Sequence, residues 1–284
     1  MQQQPACSRR LVVKSAVLGL VTASIPNILF AKRMQPAVSD EVAENTLPHD
    51  RYPAIELSVA AEVVGVAHFN IDRLKELVDS RPELAKANWD WGFGDWESAM
   101  AAASHVGRKD IVDYLVGKGA TPSIFTHAML GHFDTVKAMI ISYPGVQKNL
   151  GPHGISLLQH AKTGLSIDGV DKSKAQQLID YLQSLGDADG RQYLNVAEPE
   201  QAKFLGDYRY GEGKDDGFSI KLNMRKMLSL GKLGKQGGAL LRTGINEFTY
   251  QGAPSVIITF NVQNNQVLSL TISEPGLVLT AKKI

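Results

Sequence analysis

Two hydrophobic periods divide the chain. Between about residues 57 and 189 apolar side chains recur at helical spacing. Ile111, Val112, Leu115 and Val116 fall at i, i+1, i+4 and i+5, which is one stripe along a helix. A shorter apolar stretch, 98–106, precedes it and ends at Gly107, and Gly119-Ala120 closes the second helix. The same pattern predicts helix pairs at 63–69 with 71–78, where Leu74, Leu77 and Val78 face inward, and at 124–131 with 134–141. A last pair starts at 151–161 and continues through 175–185 after an inserted loop, 164–174. One helix pair cannot bury such a stripe; stacked pairs can, and about three are needed for stability.

From about residue 199 the period changes to two. Short segments at 205–210, 218–224, 228–233, 239–243, 247–251, 255–262, 267–272 and 277–281 are rich in Val, Ile, Tyr and Phe. Turn-forming runs such as Asp215-Asp216-Gly217, Gln236-Gly237-Gly238, Gln263-Asn264-Asn265 and Glu274-Pro275-Gly276 separate them. Even spacing of this kind predicts an antiparallel β-meander or small barrel. The expected fold class is therefore α+β in two domains, an α-helical solenoid at 57–189 and a β domain at 199–284. Residues 190–198 are the linker between them.

The run Ser98-Ala99-Met100-Ala101-Ala102-Ala103-Ser104-His105-Val106-Gly107, followed by Asp110 to Ala120, resembles an ankyrin repeat. Ser98 stands where threonine is usual and Met100 where leucine is usual. Gly107 to Gly131 spans 24 residues, short of the roughly 33 of a full repeat, whereas Gly131 to Gly164 restores the 33-residue period. The resemblance implies four ankyrin-like repeats, one good and three degenerate, with helical-hairpin arrays of another class as the alternative. Phe204-Leu205-Gly206-Asp207-Tyr208 resembles the opening of small β domains that follow bacterial serine-hydrolase-like catalytic domains. No catalytic domain accompanies it, so no hydrolase activity is implied.

Residues 1–31 read as an address. Ser8-Arg9-Arg10, then Leu11-Val12-Val13 and Lys14, precede a mostly apolar stretch to Phe30. This resembles a bacterial twin-arginine export signal, with Val12-Val13 in place of the usual Phe-Leu pair. The uninterrupted apolar stretch is short for a membrane span. The resemblance implies a periplasmic or extracytoplasmic protein, touching the membrane only through the signal segment if that is uncleaved. Residues 32–56 form a linker. The only cysteine, Cys7, belongs to the signal, so the mature chain has no thiol for disulfides, nucleophiles or metal.

The formal charge of +1 argues against a nucleic-acid binder. Its distribution is uneven: residues 32–198 carry −6 and residues 199–284 carry +4. Arg225, Lys226, Lys232, Lys235 and Arg242 supply a basic stretch, either a surface for an acidic partner or a solvated strand face. Metalloprotease, nucleophile-elbow and phosphate-loop motifs are absent. Gly231, Gly234 and Gly237 suit a hairpin turn better than a phosphate cradle.

All three tryptophans, Trp89, Trp91 and Trp96, lie within 88–97 with Asp95 and Glu97. In the ankyrin pattern this is the finger that borders the binding surface. The aromatic and acidic side chains either anchor a partner or fold back over the helices. His105, His127, His153 and His160 fall on repeat turns or first helices, where stacking can bring two or three together. His127 and His132, five apart, are expected to point away from each other on a helix. The reading is a non-catalytic, cofactor-free protein of the bacterial envelope that binds a protein or peptide. Its partner surface comprises Trp89, Trp91, Asp95, Trp96, Glu97, His105, His127 and His153, with no metal assigned. The alternative is a small-molecule or metal-binding protein, or an enzyme, built on the same His/Asp/Trp face.

Overall fold

The computed structural model describes residues 54–284, which form one compact unit. The expected export signal at 1–31, with Cys7, and most of the expected 32–56 linker lie outside the described residues.

Helices come first, in antiparallel pairs: α1 (Leu57–Val66) and α2 (Ile71–Ser80), α3 (Ala99–His105) and α4 (Lys109–Gly117), α5 (Ile124–Met129) and α6 (Phe133–Ser142), α7 (Leu157–Gly164) and α8 (Lys172–Leu185). Side-chain oxygens start several of them by accepting an otherwise orphaned backbone N–H. Asn70 accepts from Arg73, Ser98 from Ala101, Ser156 from Gln159, and Asp171 from Ser173 and Lys174. Ser123 and Thr126 bond reciprocally in a capping box at α5. Gly107 and Gly131 take left-handed φ of 80° and 70°, which turns each first helix sharply into its second.

The stripes read from the sequence are buried, except that Val116, the last member of the α4 stripe, is 43% exposed. Leu74, Val78, Ile111, Val112 and Leu115 join one apolar cluster with Met100 and Met129, and Val136, Leu157, Leu178 and Leu182 join the next. Fully burying one such side chain is worth roughly 1.5–3 kcal/mol. Stacking is also polar at one point: Ser104 Oγ donates to Met100 O and bonds Thr126 Oγ1 at 2.9 Å, joining α3 to α5 in the interior.

Between the first two pairs the chain makes a short antiparallel hairpin, β1 (Asn88–Asp90) and β2 (Trp96–Ser98), with Trp89 opposite Glu97. The helical periodicity gave no sign of these strands. Both are three residues long, and loop chemistry holds them: Asp90 Oδ1 accepts N–H bonds from Gly92 and Gly94 at 2.8 and 3.1 Å.

After a short helix, α9 (Glu198–Gln201), eight strands follow: β3 (Gly206–Arg209), β4 (Gly217–Leu222), β5 (Leu228–Lys232), β6 (Gly238–Arg242), β7 (Glu247–Tyr250), β8 (Ala253–Gln263), β9 (Gln266–Glu274) and β10 (Leu277–Lys283). Each pairs antiparallel with its neighbour, and β10 returns to β3, closing a barrel. Closure removes the exposed edges of an open meander. Phe204, Tyr208, Phe248 and Phe260 fill the barrel, with ring centroids 4.7–6.0 Å apart. Each segment expected from the alternation overlaps one strand. Within the basic stretch Arg242 is a paired residue: its guanidinium forks onto Glu200 at 2.8 and 2.9 Å.

Candidate metal centre

Four side chains converge where the β1–β2 hairpin meets the turns of the helix pairs. Each of His68, Glu97, His105 and His153 offers one atom, and these atoms all lie within 4.8 Å of one another.

Local structure fixes each. His68 lies in the turn after α1, and its Nδ1 is 3.1 Å from the carbonyls of both Val64 and Gly65. Only a protonated Nδ1 suits two carbonyls, so in the neutral ring Nε2 carries the lone pair. His105 ends α3, and its Nε2 meets His68 Nε2 at 3.1 Å. His153 sits in the 3-10 turn Pro152–Gly154 with a left-handed φ of 60°. Asp95 holds that conformation: Oδ1 accepts the His153 backbone N–H at 2.8 Å, and Oδ2 lies 2.7 Å from Nδ1. The Nε2 of His153 is thereby turned inward, 3.4 Å from Glu97 Oε1.

Glu97 is the centre of the group. Its side chain is wholly buried. Trp91 Nε1–H donates to Oε2 at 2.7 Å. Oε1 lies 2.9 Å from His105 Nε2, yet no N–H is directed at it, and it remains without a hydrogen bond. Burial alone would raise this carboxyl's pKa. The imidazoles of His105, His153 and His68 outweigh that and hold it below the usual carboxylate range. Burial likewise disfavours the imidazolium of His153, but Asp95 and Glu97 reverse the effect and lift it to about 9. His105 shifts the other way, downward: burial and the neighbouring histidines outweigh Glu97. Asp95 and Glu97 thus set two buried carboxylates against one imidazole, His153, and the pocket favours a cation.

The spacing also suits a metal ion. Ligands about 2.0–2.1 Å from a tetrahedral zinc stand roughly 3.3 Å apart, and adjacent ligands of an octahedral ion roughly 3.0 Å. The closest contacts here run from 2.9 to 3.4 Å, and one atom from each of the four side chains lies within 4.8 Å of the others, so a bound ion would draw the wider pairs together. Two of the imidazoles are oriented through their other nitrogen, His68 by backbone carbonyls and His153 by a carboxylate, the usual outer support of a metal-ligating histidine.

The barrel closes one side. Gly252, in the turn between β7 and β8, packs directly on the Asp95 carboxylate. His68 and His153 remain about one-fifth exposed, so the site is open to solvent.

Of the residues expected at a partner surface, Trp91, Asp95, Glu97, His105 and His153 come together. Trp89 packs against the helical core, and Trp96 is 64% exposed. His127 stands apart from the cluster and instead meets His132, Nδ1 to Nδ1 at 3.0 Å. The expectation that His127 and His132 diverge is corrected: Gly131 ends α5 between them, so helical spacing does not apply. His160, fully buried, bonds the Ser156 carbonyl through Nδ1 at 2.8 Å. Sequence reasoning missed His68. Its signal was there, since Ala67-His68-Phe69-Asn70 and Ser104-His105-Val106-Gly107 occupy the same turn in successive helix pairs.

No protein-family model matches the chain, and no curated protein is detectably similar to it.

Proposed function

We propose that the protein binds one divalent transition-metal ion through His68, Glu97, His105 and His153, with Asp95 and Trp91 as positioning residues. The observation that carries this reading is the buried Glu97 carboxylate: its Oε1 has no hydrogen bond and faces the Nε2 atoms of His105 and His153 at 2.9 and 3.4 Å, while His68 Nε2 lies 3.4 Å from Oε2. Three imidazoles and one carboxylate favour zinc, iron, nickel or copper over calcium or magnesium, which prefer all-oxygen sets.

The scaffold is an ankyrin-like array. The glycine-closed turns of the α3–α4 and α5–α6 pairs and the inward stripes of the four pairs support that reading, and the short Gly107–Gly131 interval is its departure from the pattern. Export by the twin-arginine route, implied by Arg9 and Arg10, puts the centre in the cell envelope as a protein folded before transport. A second reading, that the finger also holds a protein or peptide, is favoured by Trp96, exposed beside Phe125 and Pro152 in a shallow recess.

The test is a competition titration of the metal-stripped full chain with zinc and nickel against a chromophoric chelator. The wild type takes up one ion. Glu97→Gln and His105→Ala lose affinity by more than the about 10–100-fold typical of an outer-shell change. Equal uptake by wild type and both variants would sink the reading.

A further inference from the structure

A second cavity lies on the other side of Trp91. It is about 430 Å³, within the roughly 300–1,000 Å³ of small-molecule sites. The hairpin loop contributes Trp91 and Phe93, and the barrel contributes Phe218, Tyr250, Lys232 and Lys235. We propose that this cavity binds a small aromatic anion, its ring system lying among the four aromatic side chains and its carboxylate or sulfonate meeting the two lysines and the Tyr250 hydroxyl. The proposal is independent of metal binding.

Three observations carry it. First, the walls are aromatic on both sides, and the rings are held in place. Phe93 adopts a left-handed φ of 57° between Gly92 and Gly94, which is uncommon for a bulky residue, and its ring stands edge-on to Tyr250 at 5.0 Å. Second, the lining carries two ammonium groups and no carboxylate. Among the described residues neither Lys232 nor Lys235 forms an ion pair, unlike Arg242 on the adjoining strand. Third, Tyr250 is buried at 4% exposure, and its hydroxyl accepts the Gly238 N–H at 2.8 Å. That bond uses the oxygen's lone pair and leaves its own proton to donate. A neutral apolar ligand would leave this donor and both charges unused; an anion uses all three. Aromatic walls with a few convergent polar groups are the usual make-up of a ligand site.

The experiment uses the full chain, stripped of metal by chelator, and measures binding of 1-naphthoate and of its neutral counterpart 1-naphthalenemethanol by calorimetry. Tryptophan fluorescence is followed in parallel in the wild type and in Trp96→Phe, which removes the exposed indole. The expected result is naphthoate affinity at least tenfold above that of the alcohol. In Lys232→Met/Lys235→Met that preference falls to within about threefold, while circular dichroism shows an intact fold. Phe93→Leu weakens both ligands at least fivefold. The proposal is overturned if neither compound binds at millimolar concentration, if the alcohol binds as well as the anion, or if the double lysine variant keeps the preference. Because metal is absent throughout, the result stands apart from the fate of the metal reading.

Discussion

Replacing Gly252 by alanine tests whether the barrel holds the metal-site carboxylate in place. Gly252 has φ of +80°, and a Cβ built there falls inside the Asp95 carboxylate group. Two costs follow. A side chain in the left-handed region costs roughly 1–2 kcal/mol by itself. Asp95 must also move, and it is only 4% exposed, with both oxygens committed to His153 at 2.7 and 2.8 Å. Losing one such charge-assisted bond costs about 1.5–3 kcal/mol. Gly252→Ala should therefore destabilise the chain by roughly 2.5–5 kcal/mol, summing those ranges. With His153 no longer oriented, zinc affinity should fall about 10–100-fold. Gly276→Ala isolates the backbone cost, since Gly276 has a similar φ of +87° and nothing within 4 Å of its Cβ position. Urea unfolding by circular dichroism gives the stabilities, and chelator competition gives the affinities. In an Asp95→Ala background Gly252→Ala should cost no more than Gly276→Ala does in the wild type. If Gly252→Ala matches Gly276→Ala in stability and leaves zinc affinity within twofold, the barrel does not position Asp95 and the reasoning fails.

Two further predictions concern the scaffold. Burial holds the His160 imidazole at about 4, below the ordinary value near 6.5, so the unfolded chain binds a proton there that the folded chain refuses. Stability present above pH 6.5 should decline as pH falls toward 4, by up to about 3 kcal/mol at 1.36 kcal/mol per unit; urea midpoints that fall in parallel for wild type and His160→Gln over that window would refute this. In Gly164→Ala the new methyl meets the Met129 carbonyl where α7 crosses α5, so a loss of about 1–3 kcal/mol is expected with zinc affinity unchanged, and a change in affinity of more than threefold would show that the two regions are coupled.

The scaffold was legible because its signals are local and periodic. The i, i+1, i+4, i+5 stripe at Ile111–Val116 becomes α4, and the alternation from residue 205 onward becomes eight paired strands. A period states which face is buried. It does not state which turns meet, and the His–Glu cluster is made of turns. His68 follows α1, Glu97 lies on a three-residue strand, His105 closes α3, and His153 sits in a single 3-10 turn. Only the stacking of successive helix pairs brings the first three together, and only the Asp95 bridge brings the fourth. Asp95 and His153 are 58 residues apart, and the glycine that packs on them, Gly252, lies in the other half of the fold. Placing Glu97 with the tryptophans made it look like the acidic rim of an aromatic partner surface. What changes that picture is depth: Trp96 points to solvent, whereas Glu97 on the same strand is buried and bonded by Trp91. A buried carboxylate must be compensated by a cation, and surrounding it with imidazoles leaves a choice between a proton and a metal ion. Protein binding at the exposed finger gives no reason for that buried charge. A metal ion would, and it would use the Nε2 atoms of His68 and His153, which backbone carbonyls and Asp95 already orient, together with that of His105 at the end of α3.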